Sequence, residues 1–225
     1  MALELFRNPF SRWFGGANTG RPRAAVRVKQ LEERDRRRML RHFLTLDPSD
    51  RVLRFGMQLP DGQIEAYVGK IDLGQDIVYG VYNRVFRLVA VGHLAFAHKH
   101  SLSPGKASST SKDQVAEFGV SVSKSARGLG IGSKMFERAA IHCRNSDVDT
   151  LYMHCLSSNQ TMMHIAKKAG MEIQRDHGEA DAYLRLPPPN PGSMLQEALE
   201  EQFATIDYTV KANTRAAAKW FEPKK

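Results

Sequence analysis

Three glycines at alternate positions, Gly128, Gly130 and Gly132, stand in the stretch RGLGIGSK directly ahead of a helix-like segment, IGSKMFERAAIHC. Backbone N–H groups of such a loop, joined to the free N–H groups of a first helical turn, make a site for phosphate oxygens. Glycine suits it because no Cβ blocks close approach and some positions need positive φ. Spacing narrows the ligand. A triphosphate loop needs GxxxxGK followed by Ser or Thr, and here Ser133 precedes Lys134 with no hydroxyl after it. A dinucleotide loop needs GxGxxG, and the third glycine comes one residue early. The pattern present is Arg-x-x-Gly-x-Gly, as Arg127, Gly130 and Gly132, after a strand ending VSVS.

Other reactive side chains are sparse. Cys143 and Cys155 have no CxxC spacing and no partners for a disulfide framework, which favours buried free thiols. His98 and His100 would share a strand face, but no carboxylate or thiol accompanies them, so no metal site is expected. The net charge of +9 is concentrated early: residues 1 to 41 hold eleven Arg or Lys against four acids. Attraction to nucleic acid or to an acidic partner is the sharper reading of that excess. A solvated basic leader is favoured, because aromatic residues are not interleaved with RDRRRMLR as base stacking requires. No apolar run approaches the roughly 18 residues of a membrane span. The start of the chain lacks a secretory apolar core, so a cytoplasmic protein is expected.

The surrounding pattern is α/β. Residues 1–23 read as a basic leader, 24–186 as one domain, 187–192 as a Pro-rich linker and 193–225 as a helical tail. A short strand AAVRV leads to a helix from about Leu31 to Leu44. DPSDRVLRF then offers Asp47 as a cap and Pro48 at the first helical position. QIEAYVGKID is open between helix and strand. IVYGVYN and VFRLVAVGHLAFAH read as an antiparallel pair, followed by a Ser-rich loop, KHSLSPGKASSTSKD. In QVAEFGVSVS, Ala116, Phe118, Val120 and Val122 lie on one face and Glu117, Gly119 and Ser121 on the other. Strand VDTLYMHC and helix SSNQTMMHIAKKAG follow the loop helix, with Ser158 as a cap and Gly170 as the stop. MEIQRDH and EADAYLRL close the domain as a hairpin. In the tail, Ser193 and Gln196 suggest a capping box. Leu195, Leu199, Phe203, Ile206 and Val210 recur at helical spacing and need a surface, either the chain's own domain or a second subunit in a homodimer.

The loop, the strand before it, the helix after it, and Asn159 ahead of the helix ending KKAGM together resemble the GNAT superfamily of N-acetyltransferases. The likeness covers roughly residues 24 to 186. HFLTLDPSDRVLRF is also similar to the substrate-side helices of GNAT protein acetyltransferases. The resemblance implies a mixed, mainly antiparallel sheet of about 6–7 strands flanked by helices, plus the C-terminal helical extension. It implies acetyl transfer from acetyl-CoA, without a metal, to a primary amine of a small molecule, a protein lysine or a protein N-terminus. Loop residues Arg127, Gly128, Leu129, Gly130, Ile131 and Gly132 would hold the pyrophosphate. Backbone of Val120 and Val122 would pair with the pantetheine arm, and Asn159 would bond the cofactor. An ammonium must lose a proton before it attacks a thioester. Glu117 is the candidate base, with His93 and His154 behind it. The family's usual Tyr, seven residues after the Asn, is replaced by Ala166, and Tyr152 cannot be assumed to stand in. An alternative is therefore a module that senses acetyl-CoA with weak or no catalysis.

Overall fold

The computed structural model describes residues 25–96 and 114–220. The basic leader, His98, His100 and the Ser-rich loop lie outside the described residues. Seven strands form one sheet in the order β1-β2-β3-β4-β5-β7-β6: β1 Lys29–Gln30, β2 Ile77–Tyr82, β3 Leu88–Phe96, β4 Val115–Val122, β5 Thr150–Leu156, β6 Glu172–Asp176 and β7 Glu179–Arg185. Every neighbouring pair is antiparallel except β4 and β5, which are parallel and joined by a crossover helix. The hairpins and the crossover expected from the sequence thus occupy one sheet. The first strand lies at Lys29–Gln30, later than the AAVRV segment, and pairs with Gly80 and Tyr79.

One face of the sheet carries α4, Ile131–Asn145, and α5, Gln160–Lys168. Ile131, Met135, Phe136, Ala139, Ala140 and Cys143 make a stripe at helical spacing, and it is buried against Ala90, Leu94, Ala116 and Phe118. Phe118 and Phe136 meet edge-on at 5.7 Å. Both cysteines are buried and unbridged. Asn159, not Ser158, caps α5, its side chain accepting from the Met162 N–H at 3.1 Å. Asn is at least as good a cap as Ser, and the turn enters one residue later than the sequence suggested. Gly170 ends the helix at φ +70°.

The other face is covered over β2, β3 and part of β4 by α1, Arg36–Leu44, α2, Pro48–Phe55, and α3, Asp61–Lys70. A second core forms there from Met39, Phe43, Ile64, Val68, Val78 and Val91. The segment left open between helix and strand is thus helical, with Ile64 and Val68 one turn apart on its buried side. Helix α1 starts at Arg36, after a short 3₁₀ turn over Glu33–Asp35 closed by a capping box between Glu32 and Asp35. Pro48 opens α2, and Gly56 ends it in the left-handed region.

The last helix, α6, spans Pro191–Trp220. Asn190 and Ser193 cap it reciprocally: Asn190 Oδ1 accepts from the Ser193 N–H at 2.8 Å, and Ser193 Oγ from the Asn190 N–H at 3.2 Å. Gln196 instead turns along the helix to Glu200. Helix α6 docks through a mostly polar seam, Glu197, Glu201, Ala204, Tyr208 and Lys211. Glu197 meets His142 at 2.7 Å, and Glu201 meets Lys29 at 2.7 Å and the buried Arg138 at 3.2 Å. Tyr208 and Tyr82 donate to the buried Asp35 at 3.0 and 2.8 Å. The apolar stripe from Leu195 to Val210 faces outward, with Ile206 60% exposed.

Candidate active site

The site begins where two strands part. β4 and β5 pair only from Val115↔Thr150 to Glu117↔Tyr152, whereas β4 stays paired with β3 as far as Val122. The Ser123 N–H donates to Val89 O at 2.8 Å. By alternation, the amides of Glu117, Gly119 and Ser121 turn towards β3, and those of Val120 and Val122 turn into the opening beside β5. One of these groups is already used: Val122 O accepts from Arg127 Nε at 3.2 Å.

The loop after β4 closes one end of the opening. Gly128 and Gly130 have φ of +73° and +76°, with open space where a Cβ would stand. Backbone conformation is therefore their requirement. Gly132 differs: a Cβ there would stand 3.1 Å from Ile165 Cδ1, so its small size lets α4 and α5 approach. Gly130 is the N-cap of α4, no side chain caps that end, and no acid stands in the first turn. The first-turn N–H groups and the helix dipole there are suited to an anion.

A cleft of about 430 Å³ joins these parts. Val120, Val122, Arg127, Gly128, Gly130, Ile131, Gly132 and Asn159 all line it. Leu129 does not, its side chain pointing to solvent at 52% exposure. Helix α2 forms the wall that spacing gave no sign of, through Asp50, Leu53 and Arg54, with Leu46 from the turn before it. It is pinned across the opening by three bonds. Asp47 pairs with Lys124, Asp50 pairs with Arg127 at 2.6 Å, and the Asn159 amide donates to Leu53 O at 3.2 Å. Asp47 thus sits at the N-cap position but spends its carboxylate on Lys124. Arg127 and Asn159 are held by protein partners as well as facing the cleft.

Beside the cleft, α2 and α3 reach down to the sheet. The Arg54 guanidinium lies over Gly119, where a Cβ would stand only 2.9 Å away. Arg54 donates to Tyr67 Oη at 2.8 Å, Tyr67 meets His93 Nδ1 at 3.0 Å, and His93 Nε2 meets Asp76 at 3.1 Å. One proton arrangement satisfies the chain: Tyr67 donates to Nδ1, and Nε2–H donates to Asp76. Burial, opposed by Asp76, lowers the His93 pKa and keeps the ring neutral. Both His93 nitrogens are engaged, and of this hydrogen-bonded chain only Arg54 lines the cleft.

Glu117 is exposed on the same sheet face, one step along β4 from Gly119 and opposite Tyr152. Tyr152 donates to Asp181 at 2.6 Å, and burial with that carboxylate raises its pKa. His154 bonds the same Asp181 oxygen at 2.8 Å. Ala166 is buried on the core side of α5. Among the described residues, no group of three or more His, Cys, Asp or Glu could hold a metal, and no helix is long and apolar enough to cross a membrane.

The profile of the Acetyltransferase (GNAT) family matches residues 78–171. No curated protein matches. Among solved structures, the GNAT domain of S. lividans PAT is similar at 17% identity and a TM-score of 0.58, over 72% of this chain and 92% of that one. An acetyltransferase of the GNAT family from Staphylococcus aureus Mu50 is similar at 13% identity and a TM-score of 0.53, over 72% of this chain and 100% of that one. Spermidine N-acetyltransferase from Vibrio cholerae, solved with CoA and spermine, is similar at 14% identity and a TM-score of 0.50, over 70% and 92%. Residues 78–171, which contain the parted strands, the glycine loop and the Asn159 cap, are thus the part of the chain that matches the GNAT acetyltransferase family, whose members move an acyl group from acyl-CoA to an acceptor.

Proposed function

We propose that this protein transfers an acetyl group from acetyl-CoA to a primary amine. The observation that carries this reading is the parted β4–β5 edge leading into an uncapped helix N-terminus, with Gly128 and Gly130 in the left-handed region. These residues fit the donor. Amides from Gly128 to Gly132 would take the pyrophosphate oxygens, and backbone of Val120 and Val122 would pair with the amides of the pantetheine arm. Acetyl-CoA supplies the activated thioester.

The chain's own residues then have three tasks. The loop and α4 hold negative charge, α2 walls the cleft from water, and Glu117 takes the proton from the acceptor ammonium, directly or through one water. Glu117 is preferred to His93 because its carboxylate is exposed on the acceptor side, whereas both His93 nitrogens are committed. No described side chain takes the part of the family's Tyr at position 166, which assigns protonation of the departing thiolate to water.

Calorimetric titration with acetyl-CoA tests the donor site, and no binding at millimolar cofactor would sink the reading. Turnover on an amine panel tests the chemistry. Glu117→Gln should cut kcat by 10²–10⁴-fold near neutral pH, the usual range for a lost base. The fully buried Ala166 favours a second reading, an acetyl-CoA sensor. Tight donor binding with no turnover on any amine would select it.

A further inference from the structure

Arg54 stands in the last turn of α2 and lines the cleft, and no carboxylate among the described residues pairs with it. Other arginines close by are paired. Arg127 across the cleft meets Asp50 at 2.6 Å, and Arg51, one turn back along α2, meets Asp61 at 2.7 Å. Of the three Arg54 nitrogens, Nη2 donates to Tyr67 Oη at 2.8 Å, Nε is buried without an acceptor, and Nη1 makes no hydrogen bond among the described residues. The rings of Phe55, Tyr67 and Phe43 hold the guanidinium, with centroids 5.1, 5.7 and 6.0 Å from its carbon. Ring faces attract the cation but give its in-plane N–H groups no acceptor. The chain behind Tyr67 ends on a carboxylate, but Asp76 is spent on His93 Nε2. A guanidinium withdrawn from water without acceptors or counter-charge is costly, and an anion bound in the cleft removes that cost.

The guanidinium lies on Gly119, and Glu117 stands two residues away on the same face of β4, about 7 Å along the strand. The glycine loop follows the opposite end of β4. The phosphates of a donor held there lie away from Arg54, and the pantetheine arm and thioester that reach this part of the strand carry no charge. We propose that Arg54 binds the carboxylate of the acceptor, and that the acceptor is a free α- or β-amino acid. Neighbouring guanidinium nitrogens present coplanar donors to a planar carboxylate, the geometry in which Arg binds most strongly. An amine at Glu117 and a carboxylate at Arg54 then belong to one small molecule. The cleft of about 430 Å³ also takes the pantetheine arm, so a small acceptor suits the space that remains. The inference rests on the acyl-transfer reading for the reacting end, but the binding it describes does not need turnover.

Calorimetry on the full chain, with and without saturating CoA, compares the standard amino acids and β-alanine with their carboxamides, which keep the amine and lose the negative charge. The expected result is an amino acid, or a chemically related group of them, that binds about 10- to 100-fold tighter than its own amide, the range for a charged hydrogen bond. Arg54→Met, which keeps an apolar chain among the rings, should abolish the difference between acid and amide, and Arg54→Lys should keep part of it. Equal affinity for acid and amide in the native protein overturns the subsite, as does absence of binding by every amino acid. Equal weakening of acid and amide by Arg54→Met also overturns it, and assigns the guanidinium to the thioester carbonyl or to the fold. The native comparison needs no variant, so a misfolded Arg54→Met leaves the test intact. Because acetyl-CoA affinity is measured separately, a failed donor titration with intact amino acid binding refutes the transferase reading alone.

Discussion

His42 should make the fold acid-sensitive in a window set by its own burial. The ring is 2% exposed beneath β4, and Nε2 lies 2.8 Å from Ser121 Oγ. Burial lowers its pKa from 6.5 to about 4, against smaller raising contributions from backbone groups. The folded pKa lies below the unfolded one, so between about pH 6.5 and about pH 4 the unfolded chain binds a proton that the folded chain refuses. Stability contributed by neutral His42 is complete above that window and is lost as pH falls through it. With these two pKa values, linkage gives a loss of about 2 kcal/mol between pH 8 and pH 5. Urea unfolding followed by far-UV circular dichroism would show this as a midpoint about 1 M lower, for a slope near 2 kcal/mol per M. Burial lowers the His93 pKa as well and so acts with the same sign, and the comparison that isolates His42 is with His42→Gln. That variant loses stability at all pH values through its Ser121 contact and its packing on Phe43. Its curve against pH should nevertheless be flatter by the same 2 kcal/mol. Parallel curves for the two proteins would refute the assignment, because they would mean that His42 binds protons equally in both states.

Gly130→Ala should cost about 1 kcal/mol of stability, since φ of +76° strains an L residue even in open space, and should weaken acetyl-CoA in calorimetry by disturbing the amides around it. Arg138→Met should cost about 3 kcal/mol in urea unfolding, because Glu197 and Glu201 lose a buried partner. It should also expose α6 to proteolysis before the rest of the domain. Asn159→Ala removes both the α5 cap and the bond to Leu53 O. About 1 kcal/mol should be lost in thermal or urea melts, with the cofactor affinity falling too.

Local chemistry made the glycine-loop end of the cleft legible. The alternation of Ala116, Phe118, Val120 and Val122, and the glycines in front of an amphipathic helix, are short-range patterns with few structural solutions. The wall of the cleft was legible as helices with a likeness to substrate-side ones, but the bonds that seat it were not. Asn159 and Leu53 are 106 positions apart in the chain, and nothing in either segment signals the other. The same holds for the Asp50–Arg127 pair and for the chain from Arg54 through Tyr67 and His93 to Asp76. Leu129 shows the opposite limit: a residue inside the motif can still point away from the cleft.

The sequence by itself determined the strand, loop and helix that line the cleft, because backbone conformation and hydrophobic period are properties of neighbouring residues. It also determined that α6 would be a helix. Only the tertiary structure decided which side of α6 docks. Hydrophobic spacing picked out Leu195 to Val210, yet the helix buries the seam of Glu197, Glu201, Ala204 and Tyr208, because α4 and β1 present Arg138, His142 and Lys29 to it. The sheet row that contains Glu117 was decided in the same way. Glu117, Tyr152, Tyr183 and Glu172 come from four strands, and only the register of the sheet sets them in one row.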